Sequence, residues 1–126
     1  MKNLGIDYGK KKIGLAIAEG MSASPYKVIE VSSLVDALQQ IVRVIEKESI
    51  DQVIIGIAES GESKSMTEKF IKELEKKITV VQVEETLSSH FADKQMLEMG
   101  VQKSKKGQND AVAAAFILQE YLDSKI

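Results

Sequence analysis

The sequence contains no cysteine among its 126 residues, so disulfide bonds, cysteine-ligated zinc and thiol catalysis are excluded. It has no tryptophan and only three phenylalanines and three tyrosines. That is too few aromatic rings for a broad platform on which single-stranded bases stack. Apolar runs are only a few residues long, and the opening residues do not resemble a secretion signal. We therefore expect a cytoplasmic protein without a membrane-spanning segment.

The lysines are concentrated in two clusters, although the formal net charge of −2 does not by itself indicate nucleic-acid binding. The clusters comprise Lys10, Lys11 and Lys12, and Lys103, Lys105 and Lys106. A lysine cluster is most often a solvated turn. These two are also candidate phosphate-binding surfaces, because each lies close in sequence to a candidate catalytic carboxylate.

Length and composition fit one globular domain spanning residues 1–126, with 44% hydrophobic and 29% charged residues. Alternating and continuous apolar runs predict strands over 2–8, 12–19, 26–31, 51–57 and 78–83. Apolar residues spaced at i, i+4 predict helices over 33–48, from 65, over 87–99 and over 109–123. The expected architecture is α/β: a mixed five-stranded sheet, three antiparallel strands followed by parallel ones, with helices on its faces.

Local patterns refine this prediction. Ser33 with Asp36, and Ser65 with Glu68, are typical of helix starts at which a serine caps the first turn. In the second strand, small residues alternate with large ones and line one face. Such a face allows a helix or a ligand to approach closely.

Four carboxylates fall at the ends of predicted elements, where the sites of open α/β sheets gather. Asp7 ends the first strand, Glu84 and Glu85 end the last strand, and Asp110 opens the final helix. Each acid also has an ordinary structural explanation: an aspartate at a helix start is commonly a cap, and a glutamate at a strand end is commonly solvated. The structural explanation is weakest for Asp7, because a charge buried in a central strand needs a partner.

Several carboxylates in one place repel each other, and a hard divalent cation such as Mg²⁺ or Mn²⁺ relieves that repulsion. Two such ions can activate a water and stabilise the leaving oxygen in phosphodiester cleavage. Ser88 and Ser89 are candidate hydroxyl donors to phosphate. The single histidine, His90, is not required by this chemistry.

Four segments in order resemble the successive motifs of the YqgF family, also called RuvX, from Met1 to about Leu122. They are GIDYGKKKIGLAIAE, VIIGIAESG, EETLSSHFA and QNDAVAAAFILQEYL. The resemblance implies an RNase H-like nuclease acting on structured RNA or branched DNA, either in 5′-end processing of pre-16S rRNA or as a Holliday junction resolvase. It implies Asp7, Glu85 and Asp110 as the catalytic acids. Glu84 takes the place of an aspartate beside Glu85 and is a further candidate metal ligand.

The chain departs from the motifs of that family at three positions. Thr86 stands where the family commonly has arginine, Ala58 where it usually has proline, and Glu84 where it has aspartate. Loss of the arginine removes a bidentate partner for phosphate or carboxylate. The departures bear on substrate choice and catalytic rate and leave the three acids intact.

Two other functions stay open at this point. One is a non-catalytic nucleic-acid-binding or ribosome-assembly module. The other is an ATP-binding domain of the actin, Hsp70 and sugar-kinase type, in which Asp7 and Gly9 would lie in a phosphate loop. That arrangement normally needs two such domains to enclose the nucleotide. A monomer and a homodimer are both compatible with the sequence, and a resolvase that makes paired cuts would need a two-fold dimer.

Overall fold

The computed structural model describes residues 1–57, 61–84 and 106–125. The strands are β1 (Lys2–Tyr8), β2 (Lys12–Glu19), β3 (Ala23–Glu30), β4 (Gln52–Ile57) and β5 (Thr79–Glu84). The helices of these ranges are α1 (Leu34–Glu48), α2 (Glu62–Leu74) and α3 (Lys106–Asp123). Within these ranges no helix is long and apolar enough to cross a membrane. The helix predicted over 87–99 lies outside the described residues.

The five strands form one sheet in the order β3-β2-β1-β4-β5. β2 pairs antiparallel with both β1 and β3, whereas β1 pairs parallel with β4, and β4 with β5. The predicted mixed sheet is therefore confirmed. Because β1 is the central strand, Asp7 lies at the carboxyl end of the middle of the sheet.

Helices cover both faces of the sheet. On the face of α1 and α2, which we call the α1 face, Leu4 and Ile6 are fully buried against residues such as Phe70. On the opposite α3 face, Ala16 packs in a cluster with Leu118. Successive side chains of a strand point to opposite faces, so the alternation that sends Leu4 and Ile6 to the α1 face sends Gly5 and Asp7 to the α3 face.

α3 lies close to the sheet because β1 and β2 present glycines to it. A Cβ atom on Gly5 would lie 2.8 Å from Cβ of Leu118 and 2.9 Å from the carbonyl oxygen of Ala114. A Cβ atom on Gly14 would overlap the carbonyl oxygen of Asp110. The small-residue face predicted for β2 therefore serves the close approach of a helix.

The start of α1 agrees with its predicted cap. Ser33 Oγ accepts a hydrogen bond of 3.1 Å from the backbone N–H of Asp36. The Asp36 carboxylate in turn accepts a bond of 2.9 Å from the N–H of Ser32. Hydrogen bonds from Ser32 and Gln40 lower the pKa of Asp36, because they stabilise its charged form.

Three other element starts differ from the predictions by more than one residue. β3 begins at Ala23 and not after Pro25, because an edge strand tolerates a proline that lacks an N–H group. α2 begins after Gly61, so the helix start predicted at Ser65 is wrong, and Ser65 N–H donates to the Gly61 carbonyl at 3.3 Å. α3 begins earlier than residue 109, and Asp110 therefore lies in its second turn and does not open it.

Candidate active site

Asp7 and Asp110 lie on the same face of the sheet, and both are neighbours of Gly14. Asp7 is half-buried and pairs with Gly14 in the antiparallel register of β1 and β2. Gly14 is the residue against which the backbone carbonyl of Asp110 packs. The structure therefore brings together two of the predicted acids, one from the central strand and one from α3.

The surroundings of Asp110 disfavour its negative charge. Burial raises the pKa of the Asp110 carboxyl, because a partly dry environment penalises the ionised form. The ammonium group of Lys12 opposes this shift. Lys12 is the first residue of β2 and shares the α3 face with Gly14, two residues further on.

Glu84 lies on the other side of its strand. Val81 and Val83 of β5 pack against the cluster on the α3 face. Val80 packs against the core on the α1 face, and Gln82 lines a groove with residues of α2. By strand alternation Glu84 shares the side of Val80 and Gln82, so the structure does not bring it to the α3 face with Asp7.

Apart from Lys10, Lys11 and Lys12, the remaining predicted site residues fall in ranges on which the structure gives no side-chain detail. Residues outside the described part are Ala58, Glu85, Thr86, Ser88, Ser89, His90, Lys103 and Lys105. Lys106 is the first residue of α3. Among the described residues, no group of three or more histidine, cysteine, aspartate or glutamate side chains is placed to hold a metal ion. Only Asp7 and Asp110 of the predicted acids are described on the α3 face.

The first lysine cluster lines a groove, and one of its members, Lys12, is the lysine whose charge acts on Asp110. The groove measures about 510 Å³ and is bounded by Lys10, Lys11, Lys12, Glu30, Val31 and Ser32. We call it the lysine groove. The contribution of β3 and of the β3–α1 junction was not predicted from the sequence. Glu30 reaches the groove because it pairs with Lys12 in the β2–β3 register, and knowledge of that register would have been needed to predict its position.

The two acids suit a hard divalent cation. Carboxylate oxygens are the ligands that Mg²⁺ and Mn²⁺ prefer, and a cation beside Asp110 would offset the desolvation that raises its pKa. Both carboxylates are carried by rigid elements, a central strand and a packed helix, which favours a fixed ligand geometry. The arrangement is thus chemically suited to metal-assisted hydrolysis.

Comparisons with known proteins identify the relatives of the chain. The family model described as "RuvX: Holliday junction resolvase" matches residues 1–124. A relative from Acetivibrio thermocellus, named as a candidate pre-16S rRNA nuclease, is 37% identical over 137 aligned positions, covering 99% of this chain and 97% of the relative. A relative of the same name from Halothermothrix orenii is 35% identical, with coverage of 98% and 95%.

Solved structures with the same fold include two proteins in complex with Holliday junctions. Thermus thermophilus RuvC, in complex with a Holliday junction substrate, matches with a TM-score of 0.67 at 15% identity and covers 99% of this chain and 96% of its own. The fowlpox virus resolvase, in complex with Holliday junction DNA, matches with a TM-score of 0.64 at 16% identity, covering 100% and 99%. At these identities the likeness establishes the fold alone, and it confirms the predicted RNase H-like fold.

Proposed function

We propose that this chain, which belongs to the RuvX family of Holliday junction resolvases, is a cytoplasmic nuclease that hydrolyses phosphodiester bonds with Mg²⁺ or Mn²⁺ as cofactor. The observation that carries the proposal is the pair Asp7 and Asp110 on the two sides of Gly14. The preferred substrate is the 5′ end of pre-16S rRNA, supported by the names of two relatives that match almost the whole chain. Resolution of branched DNA is the second candidate, supported by the description of the family.

Each acid has a distinct structural basis in this proposal. β1–β2 pairing fixes Asp7, and the seat of α3 on Gly14 fixes Asp110. Asp7, Asp110 and one glutamate would hold the ion, which when bound would lower the pKa of a water and stabilise the leaving oxygen. Lys12 adds positive charge on the same face, suited to orienting a phosphate oxygen.

Glu85 is the glutamate that we assign to the metal. Adjacent residues of an extended strand point to opposite faces. Glu84 lies on the side of Val80 and Gln82, opposite to Asp7. The position of Glu84 therefore argues against it as the metal ligand, and the match to the family's motif favours Glu85.

Family membership favours a nuclease over the ATP-binding alternative. A non-catalytic module is distinguished from a nuclease by experiment. The purified protein is incubated with a pre-16S rRNA 5′ fragment and, separately, with a four-way DNA junction, in Mg²⁺ or Mn²⁺ and in EDTA. We expect metal-dependent cleavage of the RNA, and a decrease of at least about 100-fold in rate for Asp7→Asn, since even outer-shell metal partners cost about 10–100-fold.

Matched variants separate the assigned acids from their neighbours. Glu85→Gln is expected to weaken Mn²⁺ binding in calorimetry and to lower cleavage, while Glu84→Gln keeps both near the unmodified level. Asp123→Asn, at the far end of α3 from Asp110, is the control for Asp110→Asn. Unchanged metal-dependent cleavage in both Asp7→Asn and Asp110→Asn would show that the assigned site is wrong.

A further inference from the structure

We propose that the lysine groove binds the phosphodiester backbone next to the cleaved bond. The bound strand would then pass over the end of the sheet at the β1–β2 turn, from the α3 face to the α1 face. This inference rests on the proposed nuclease function and adds the path of the substrate. The residues that support it are Lys10, Lys11 and Lys12 together with Ser32, which directly precedes the N-cap residue of α1.

Lys12, in the wall of the groove, lies on β2 close to the acid pair. Lys12 precedes Gly14 by two residues on β2, a separation of about 6.6 Å along a strand. Since Gly14 is next to both Asp7 and Asp110, the Lys12 wall of the groove lies one short step from the acids, on the β3 side of β1. A phosphate chain held in the groove would therefore have its next units beside the two carboxylates.

The lysines are divided between the two faces of the sheet. Lys12 shares the α3 face with Gly14. The N–H of Val31 donates to the carbonyl of Lys11 at 2.9 Å, which extends the β2–β3 pairing by one residue. By alternation Lys11 then lies on the side of Ile13, which is buried in the core of the α1 face. Cations on both faces of this end of the sheet favour a nucleic-acid backbone that bends across it.

The wall of the groove is held in place before any ligand binds. The bond between Val31 and Lys11 joins the β1–β2 turn to the end of β3. Ser32 is fixed through its N–H and its hydroxyl, which donate to the Asp36 carboxylate at 2.9 and 3.3 Å. A preorganised wall lowers the entropy lost on binding.

The charges of the groove identify the class of ligand. Three lysines face one acid, Glu30, which pairs with Lys12 in the strand register. A polyanion should therefore be attracted by the lysines and repelled by Glu30. A cationic or metal ligand should show the reverse dependence on these residues, because its charge is opposite.

Salt dependence of binding measures the lysine contribution. Binding of duplex RNA and of a four-way DNA junction is titrated over a range of salt concentrations in the uncleaving Asp7→Asn background. We expect Lys10→Gln/Lys11→Gln to reduce the slope of log K against log salt by about 1.8 on duplex DNA arms, since each phosphate that is no longer neutralised lowers it by about 0.9. The control pair, Lys76→Gln/Lys77→Gln, lies after α2 at the opposite edge of the sheet and should leave the slope unchanged.

The sign of the Glu30 effect distinguishes a phosphate ligand from other occupants. Glu30→Gln should tighten nucleic-acid binding, whereas removal of a merely structural interaction would weaken it or leave it unchanged. Unchanged slopes in the lysine variant, or weaker or unchanged binding in Glu30→Gln, would overturn the inference. Neither result depends on cleavage, so failure of the proposed nuclease activity would be recognised separately, by the absence of metal-dependent products in the unmodified protein.

Crosslinking tests the path directly, and the absence of cysteine from the chain makes single-cysteine labelling clean. Ser32→Cys and the control Ser124→Cys, beyond the far end of α3, each receive a photoreactive thiol label in the Asp7→Asn background. We expect crosslinks from position 32 to nucleotides on one flank of the mapped cleavage position and none from position 124. Equal crosslinking from both positions would contradict the proposed path. The RNA and DNA arms report which nucleic acid follows it.

Discussion

Asp110 is a carboxylate whose surroundings oppose its charge, and this has a consequence for stability. Burial raises its folded-state pKa above the ordinary value of 3.8. At pH values between 3.8 and the raised folded-state pKa, the folded chain binds more protons than the unfolded one. The free energy of unfolding therefore falls as the pH rises through this window. An asparagine side chain cannot ionise. We therefore expect Asp110→Asn to raise the melting temperature of the metal-free protein at pH 7, with a gain that shrinks as the pH approaches 4.

Stabilisation by a bound metal ion should be smaller in Asp110→Asn than in the unmodified protein. Mg²⁺ or Mn²⁺ bound at the site would stabilise the unmodified protein, because a ligand that binds only the folded state raises the free energy of unfolding. Asp110→Asn should gain less from the ion. Thermal melts with EDTA and with Mn²⁺ at pH 4, 5.5 and 7 measure both effects, with Asp123→Asn as the reference. A lower melting temperature for Asp110→Asn in EDTA at pH 7 would contradict this electrostatic explanation.

Among the elements, those defined by long apolar patterns were predicted best. The strand alternation that separates Leu4 and Ile6 from Asp7 is a local property of β1, so the side on which Asp7 lies could be predicted. Short capping signals were less reliable: Ser33 does cap α1, but the similar pattern at Ser65 lies inside α2. The same residue types occur at both places, and only the tertiary structure determines where each helix begins.

The site was predictable to the extent that it depends on neighbouring strands and on the motif resemblance. Asp7 and Asp110 meet because a glycine in β2 admits the backbone of α3, and the sequence indicated a small-residue face there without naming its partner. The lysine groove depends on how β3 pairs with β2 past a register shift at Leu15 and Ala16. Such a non-local register is not contained in the periodicity of either strand, so Glu30 and Ser32 were not foreseen.

The contact between β2 and α3 can be tested by adding a single methyl group. In Gly14→Ala the new Cβ would overlap the Asp110 carbonyl and push the start of α3 away from the sheet. We expect a decrease of about 1–3 kcal/mol in the free energy of unfolding, the usual range for overpacking. Displacement of Asp110 should also weaken Mn²⁺ binding. Urea unfolding and calorimetric titration measure the two quantities separately.

Gly5→Ala is the matched control for this contact. Its Cβ would press on Leu118 and on the Ala114 carbonyl, further along α3 than Asp110. A comparable decrease in stability is expected, with Mn²⁺ affinity closer to that of the unmodified protein. If Gly14→Ala keeps full Mn²⁺ affinity while it is destabilised, the seat of α3 on Gly14 does not position the acid.

For the molecule as a whole, the number of phosphate-binding basic residues limits the electrostatic part of its affinity for nucleic acid. The chain has one arginine, Arg43, and a net charge of −2. The proposed phosphate-binding residues come from two clusters of three lysines each, so one copy offers six. On duplex DNA each neutralised phosphate contributes about −0.9 to the salt slope, and we expect one copy to give a slope no steeper than about −5.

This limit separates the two candidate substrates through the number of copies bound. An RNA-processing nuclease can act as a single chain of 13.9 kDa, and its slope should stay within that bound. A resolvase that makes paired cuts needs a two-fold arrangement, in which a second copy adds its own lysines and steepens the slope. For the preferred RNA role, we expect sedimentation to give the mass of one chain bound to the pre-16S rRNA fragment. Two chains on the four-way junction, with a slope well beyond about −5 and symmetric cuts, would instead favour the branched DNA substrate.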